Sequence, residues 1–175
     1  KRSLRKDHPL RKEIRKEPRF TFIDLFAGIG GFRLAGENAG GKCIFTSEKD
    51  KYARISYYCN FGEMPFGDIN VLTKPQNISK IPPHDVLCGG FPCQDLSVAG
   101  KRAGLDGARS GLFWEICRIL DETKTKWFVL ENVPGLLSSN NGADMGTVIE
   151  ALVERGYGVA YRILDAQYFG VPQRR

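Results

Sequence analysis

A thiol and a carboxylate stand where one covalent reaction needs both. Cys93 lies in Phe91-Pro92-Cys93-Gln94, fed by Asp85-Val86-Leu87-Cys88-Gly89-Gly90, and Glu131 opens Glu131-Asn132-Val133. A cysteine attacks as its thiolate. An ordinary thiol titrates at about pH 8.5, so its surroundings must favour the anion or let the proton leave during attack. A carboxylate in the same cleft can accept hydrogen bonds from a substrate and steady charge as it develops. A second set of residues has the form of a nucleotide-type site. Phe26-Ala27-Gly28-Ile29-Gly30-Gly31 is a glycine turn whose backbone can approach a ligand closely. Glu48 is placed to accept from ribose hydroxyls, and Asp68, in Gly67-Asp68-Ile69, to accept from an adenine amine. Three such loops around one crevice suit an adenosyl ligand. A dinucleotide fingerprint would need a third glycine at position 33, which is Arg33, so a nicotinamide cofactor is disfavoured.

The elements that must hold these residues are legible as apolar runs separated by helical patterns. Arg19–Leu25 reads as a strand entering the glycine turn, Phe32–Asn38 as the helix after it, and Gly40-Gly41 as its end. Lys42–Ser47 reads as a second strand. Asp50–Asn60 reads as a helix carrying Tyr52, Ile55 and Cys59 on one face, and Phe66–Ile69 as a short extended piece. Pro82-Pro83 marks a loop before the strand at Asp85, whose Gly-Gly-Phe-Pro exit leads into Cys93. Gly100–Ser110 reads as a mobile glycine-rich loop, Leu112–Thr123 as an amphipathic helix, and Lys126–Leu130 as the strand that Glu131 ends. Asp144 is a plausible N-cap for a helix through Arg155, and Tyr157–Leu164 alternates as a strand. Strands alternating with helices predict an α/β fold with a doubly wound, mostly parallel sheet. If the strands leading to Cys93 and Glu131 are neighbours, thiol and carboxylate share one cleft.

Composition narrows the class. The chain has 175 residues, enough for one sizeable core. It shows neither an apolar stretch of membrane-spanning length nor a signal peptide, so a soluble, cytoplasmic protein is expected. The net charge is +6. Residues 1–19 hold nine Lys/Arg against three Asp/Glu and the remainder is balanced, so the basic character belongs to the N-terminal segment. That segment suits either phosphate contact or a solvated leader. Five cysteines without C-x-x-C spacing, with only His8 and His84 as nitrogen donors, argue for reduced thiols and no metal site. Cys43, Cys59, Cys88 and Cys117 read as small core residues.

From about Phe20 to Arg175 the chain resembles the bacterial cytosine-5 DNA methyltransferases. The resemblance rests on Asp24-Leu25-Phe26-Ala27-Gly28-Ile29-Gly30-Gly31, Gly90-Phe91-Pro92-Cys93-Gln94, Glu131-Asn132-Val133 and Gly170-Val171-Pro172-Gln173-Arg174-Arg175. It implies the S-adenosylmethionine-dependent methyltransferase fold and that cofactor. Phe26 would lie against the cofactor, Gly30 near its methionine end, Glu48 on the ribose, Asp68 and Ile69 on the adenine, and Leu112 at a further apolar contact. Cys93 would add to carbon 6 of a cytosine flipped out of double-stranded DNA, making carbon 5 nucleophilic, while Glu131 holds ring nitrogen 3 and the amine. Asn132 would orient the strand end. The segment with Gln94, Ser97, Lys101, Arg102 and Arg109 would close over DNA, and Arg175 matches a further conserved arginine. The resemblance makes residues 20–175 a catalytic domain that lacks the family's target-recognition region, supplied by the same chain or by a separate polypeptide. One position departs from the family pattern: Lys49 stands where a tryptophan commonly stacks on adenine. Either another side chain covers the base or cofactor affinity is lower. Two other readings are an RNA methyltransferase of the same fold, which usually shows Pro-Pro-Cys at the nucleophile, and a catalytically silent binding module. Phe91-Pro92-Cys93 disfavours the first and the intact Cys93, Glu131 and Asp68 the second.

Overall fold

The computed structural model describes residues 17–92 and 111–170. They fall in two compact units, divided between Asn132 and Val133. In the first, four strands form one all-parallel sheet: β1 (Phe20–Leu25), β2 (Gly41–Ser47), β3 (Val86–Gly90) and β4 (Trp127–Glu131). Their order is β2-β1-β3-β4. The chain therefore leaves β1 to one side for β2 and returns to its other side for β3. The ends of β1 and β3 flank the point where strand order reverses, the place where open α/β sheets bind ligands.

Among the described residues the first unit adds the α-helices α1 (Gly31–Asn38), α2 (Lys51–Phe61), α3 (Ile69–Leu72), α4 (Pro75–Ile78) and α5 (Leu112–Thr123), and the second unit contains α6 (Ala143–Val153). Within the first unit, α1 and α5 lie on opposite faces of the sheet. Alternation along β1 sends Phe22 and Asp24 to one face and Ile23 and Leu25 to the other, and all four are fully buried. On the first face α1 approaches so closely that a Cβ on Gly36 would lie 2.5 Å from the Phe22 ring. On the second, α5 packs the stripe Phe113, Ile116, Cys117 and Leu120, at the three- and four-residue spacing of a core-facing helix. Gly89 of β3 lies beside Ile116 there.

Several expectations are corrected. Residues 157–164 alternate in polarity but form no strand, because alternation yields a strand only where a neighbouring edge takes its backbone groups. Asp144 is not an N-cap. Gly142, with φ 84°, holds that position, and Asp144 sits in the first turn of α6 accepting from the Ser139 hydroxyl. Only Phe66 of the extended piece pairs, as a single bridge to Ser47, and Ile69 already begins α3. Cys43, Cys88 and Cys117 are buried, but Cys59 is exposed. The α2 face bearing Tyr52, Ile55 and Cys59 points outward, and the helix is anchored through fully buried Tyr57.

Candidate active site

β1 ends in a turn with unusual backbone geometry. Phe26 has φ 57°, uncommon for a bulky residue, and Gly28 and Gly30 have φ 54° and 100°. Three neighbours hold the turn. Ala27 N–H donates to the Ser47 carbonyl (3.0 Å), Gly28 N–H to Glu48 Oε2 (2.8 Å), and Asn60 Nδ2 to the Ile29 carbonyl (3.1 Å). Glu48 Oε1 also accepts from Asp50 N–H at 2.7 Å. The carboxylate expected to face a ribose thus also clamps the glycine turn onto the loop after β2. Gly30 is bare for a packing reason, since a Cβ there would lie 2.1 Å from the edge of the Phe61 ring.

Arg33, where a dinucleotide fingerprint would have glycine, is 8% exposed. Its Nε donates to Glu37 (2.9 Å), its Nη1 donates to Tyr57 Oη (3.2 Å) and to Glu63, and its guanidinium lies 4.7 Å from the Phe61 ring centroid. It joins α1 to α2 behind the turn. Beneath it lies Asp24, in register with Thr46 and Cys88, with no hydrogen-bond partner of normal geometry on either oxygen among the described residues. Burial pushes its carboxyl up to about 7, the Arg33 backbone N–H and charge pulling it back in part and Glu48 adding to the rise. Burial likewise pushes the Cys43 and Cys88 thiols up to about 12. Neither suits a thiolate role.

A cleft of about 480 Å³ opens at these strand ends. Phe26, Glu48, Asp68, Ile69 and Leu112 line it, together with Ser47, Lys49, Asp50, Lys51 and Pro92. Gly28 and Gly30 hold the turn without lining the cleft. Asp68 caps α3: its Oδ1 accepts from Asn70 N–H (2.9 Å) and Asn70 Nδ2 (2.8 Å), and its Oδ2 lies 2.9 Å from Lys49 Nζ. Behind the cleft lining, buried Glu115 of α5 accepts from Thr73 at the end of α3 and from Arg118, tying the short helix to the helix that carries Leu112. At the other end of the switch point β3 and β4 pair as parallel neighbours, with Gly90 opposite Glu131. Glu131 Oε2 lies 3.1 Å from where a Gly90 Cβ would stand, and Asn132 Nδ2 donates to the Phe91 carbonyl at 2.7 Å. The carboxylate therefore sits beside the strand exit that leads, three residues on, to Cys93.

Residues 20–175 match the C-5 cytosine-specific DNA methylases. The chain belongs to that family. Among its relatives, the type II methyltransferase M.MspI of Moraxella sp. is 50% identical over 89% of this chain and 37% of that protein. M.HpaII of Haemophilus parainfluenzae is 49% identical over 90% and 44%. The chain thus spans less than half the length of these relatives. The S. pombe Dnmt2 methyltransferase structure shares the fold at a TM-score of 0.65, with 23% identity over 90% of this chain and 48% of that one.

Of the residues that sequence reasoning assigns to this methylase site, Phe26, Glu48, Asp68, Ile69 and Leu112 meet at one cleft. Cys93, Gln94, Ser97, Lys101, Arg102, Arg109 and Arg175 lie outside the described residues. Sequence reasoning missed Asp24, Arg33, Glu115 and the Lys49–Asp68 pair. A charged residue inside an otherwise apolar strand was the only signal for Asp24, and the others depend on partners distant in the chain. Among the described residues no helix is long and apolar enough to cross a membrane and no cluster of His, Cys, Asp or Glu has the form of a metal site.

Proposed function

We propose that this chain carries the cofactor-binding and catalytic half of a DNA cytosine-5 methyltransferase that uses S-adenosylmethionine and acts on duplex DNA, as part of a restriction-modification system. The observation that carries the reading is the shared cleft. Glu48 and Asp68 end adjacent loops around it, and Pro92, the residue before Cys93, lines the same space. The acceptors suit an adenosyl group. Glu48 offers carboxylate oxygens to ribose hydroxyls, Asp68 offers Oδ2 to the base amine, and Phe26, Ile69 and Leu112 supply apolar walls. When bound, S-adenosylmethionine supplies an electrophilic methyl group.

The protein's own part is to make cytosine carbon 5 nucleophilic. The Cys93 thiolate adds to carbon 6, forming a sulfur–carbon bond and moving ring electrons to carbon 5. Glu131, at the end of β4 beside the exit of β3, holds ring nitrogen 3 and the exocyclic amine as charge builds there. Asn132, tied to the Phe91 carbonyl, keeps that exit and the Glu131 strand in register. After transfer the carbon 5 proton leaves to solvent and the thiol is eliminated, restoring the ring. The base must leave the duplex to reach these groups. Gln94, Ser97, Lys101, Arg102 and Arg109 suit a segment that closes over the extruded strand, and Arg175 a further contact. Sequence recognition then falls to a region beyond residues 1–175, in the same chain or a partner.

Duplex DNA containing 5-fluorocytosine tests the chemistry, because fluorine at carbon 5 blocks the final elimination. With S-adenosylmethionine, the full-length protein should form a covalent DNA complex stable to denaturation, and the Cys93→Ala protein none. Trapping that persists in Cys93→Ala, or that moves to Cys88, contradicts the assignment.

A further inference from the structure

We propose that Lys49 competes with the adenine of an adenosyl ligand for Asp68, so that the base end of the cleft opens by breaking the Lys49–Asp68 ion pair. The inference rests on the adenosyl reading of the cleft and adds a determinant of its affinity. Both residues line the cleft. Asp68 Oδ1 already accepts two hydrogen bonds, from the backbone and side chain of Asn70, which uses both of its lone-pair positions. Oδ2 is the oxygen left for a base amine, and Lys49 Nζ stands on it at 2.9 Å.

The two partners differ in freedom. The Lys49 side chain is 75% exposed, whereas Asp68 is 24% exposed and fixed as the cap of α3. The lysine can therefore swing into water at small cost, while the carboxylate stays in place. Burial pushes the Asp68 carboxyl up, but the bonds from Lys49 and Asn70 outweigh it and hold the group below the usual carboxylate range. Asp68 is thus an anion, able to accept from either donor. Among the described residues, the other charged groups lining the cleft, Glu48, Asp50 and Lys51, form no ion pair or hydrogen bond with Asp68 Oδ2, and Lys49 is the cation on it.

Two ligands separate this competition from the adenosyl reading itself: S-adenosylmethionine, and 5′-methylthioadenosine, which keeps the base and ribose but carries no charge. Calorimetry on the full-length protein should find that Lys49→Met tightens both by roughly two- to fivefold, the range for release of an exposed ion pair. Lys49→Arg, which keeps the pair, should bind like the parent. Added salt screens the pair, so parental affinity for the uncharged ligand should rise with ionic strength and that of Lys49→Met should stay level. Both ligands binding Lys49→Met no more tightly than the parent, or more weakly, overturns the competition and leaves the adenosyl site standing. Failure of every protein to bind either ligand overturns the adenosyl reading and this inference together.

Discussion

Asp24 lies under α1 with both oxygens buried, facing Arg33 and Glu48 and flanked in the sheet by Thr46 and Cys88, with Cys43 close by. Its carboxyl is raised from 3.8 to about 7. The folded protein therefore holds a proton that the unfolded chain releases between those values. Its stability contribution is complete below the unfolded value and is lost as pH rises toward and through about 7, on the order of 1 kcal/mol per pH unit. Asparagine mimics the protonated form. Asp24→Asn should gain on the parent in urea midpoint as pH is raised from 5 to 8, and a constant difference between the two proteins across that range would show that Asp24 does not titrate there. That Glu48 and Asp68 line one cleft could be anticipated because each follows a recognisable apolar strand or loop signal, although their structural bonds to the glycine turn and to α3 could not. Asp24 was not legible. The same strand pattern sends it to a buried face, and only the packed structure shows that its oxygens have no hydrogen-bond partner of normal geometry among the described residues. The Lys49–Asp68 pair was equally hidden, because it joins two loops separated by all of α2.

The glycine turn between β1 and α1 gives the element scale its clearest test. At Gly30 two demands coincide, φ 100° and the Phe61 ring edge 2.1 Å from any Cβ. At Gly28 φ is 54° and a Cβ would meet nothing within 4 Å. Gly30→Ala should cost roughly 2–4 kcal/mol of folding stability and Gly28→Ala only about 1 kcal/mol. Adding Phe61→Ala to Gly30→Ala should restore part of the loss by a double-mutant cycle, the backbone share remaining. Equal costs at the two glycines would show that the turn relaxes freely. β1 to β4 could be read from the sequence because each is a short, largely apolar run between turn signals, although the edge strand β4 leaves Trp127 and Val129 exposed. Residues 157–164 carried a similar pattern and misled, since periodicity records which side chains could share a face and not whether a neighbouring strand exists. In α2 the apolar residues Tyr52 and Ile55 suggested a face to bury. The helix instead turns Tyr57 inward, where its hydroxyl accepts from Arg33, a contact between residues 24 apart that periodicity cannot register.

At the scale of the molecule, charge and length set what the chain can do. The excess of basic residues in 1–19 would, if it meets DNA, give only a sequence-independent attraction for phosphates, whereas discrimination between DNA sequences needs base-edge contacts. Chain coverage of 37% and 44% of M.MspI and M.HpaII leaves room in those proteins for such a region beyond the part shared here. In the proposed reading, the switch-point cleft would hold the cofactor and the β3–β4 pairing would bring Glu131 to the reacting base. In the proposed reaction a methyl group passes to cytosine carbon 5 through covalent attack by Cys93. That reaction is tested most directly by giving the full-length protein duplex DNA and S-adenosylmethionine with a tritiated methyl group, then digesting the product to nucleosides. The label should appear in 5-methylcytosine at one short recognition sequence and vanish in Cys93→Ala. Label in N6-methyladenine or N4-methylcytosine, label confined to tRNA when both nucleic acids are offered, or transfer that survives Cys93→Ala would contradict the account.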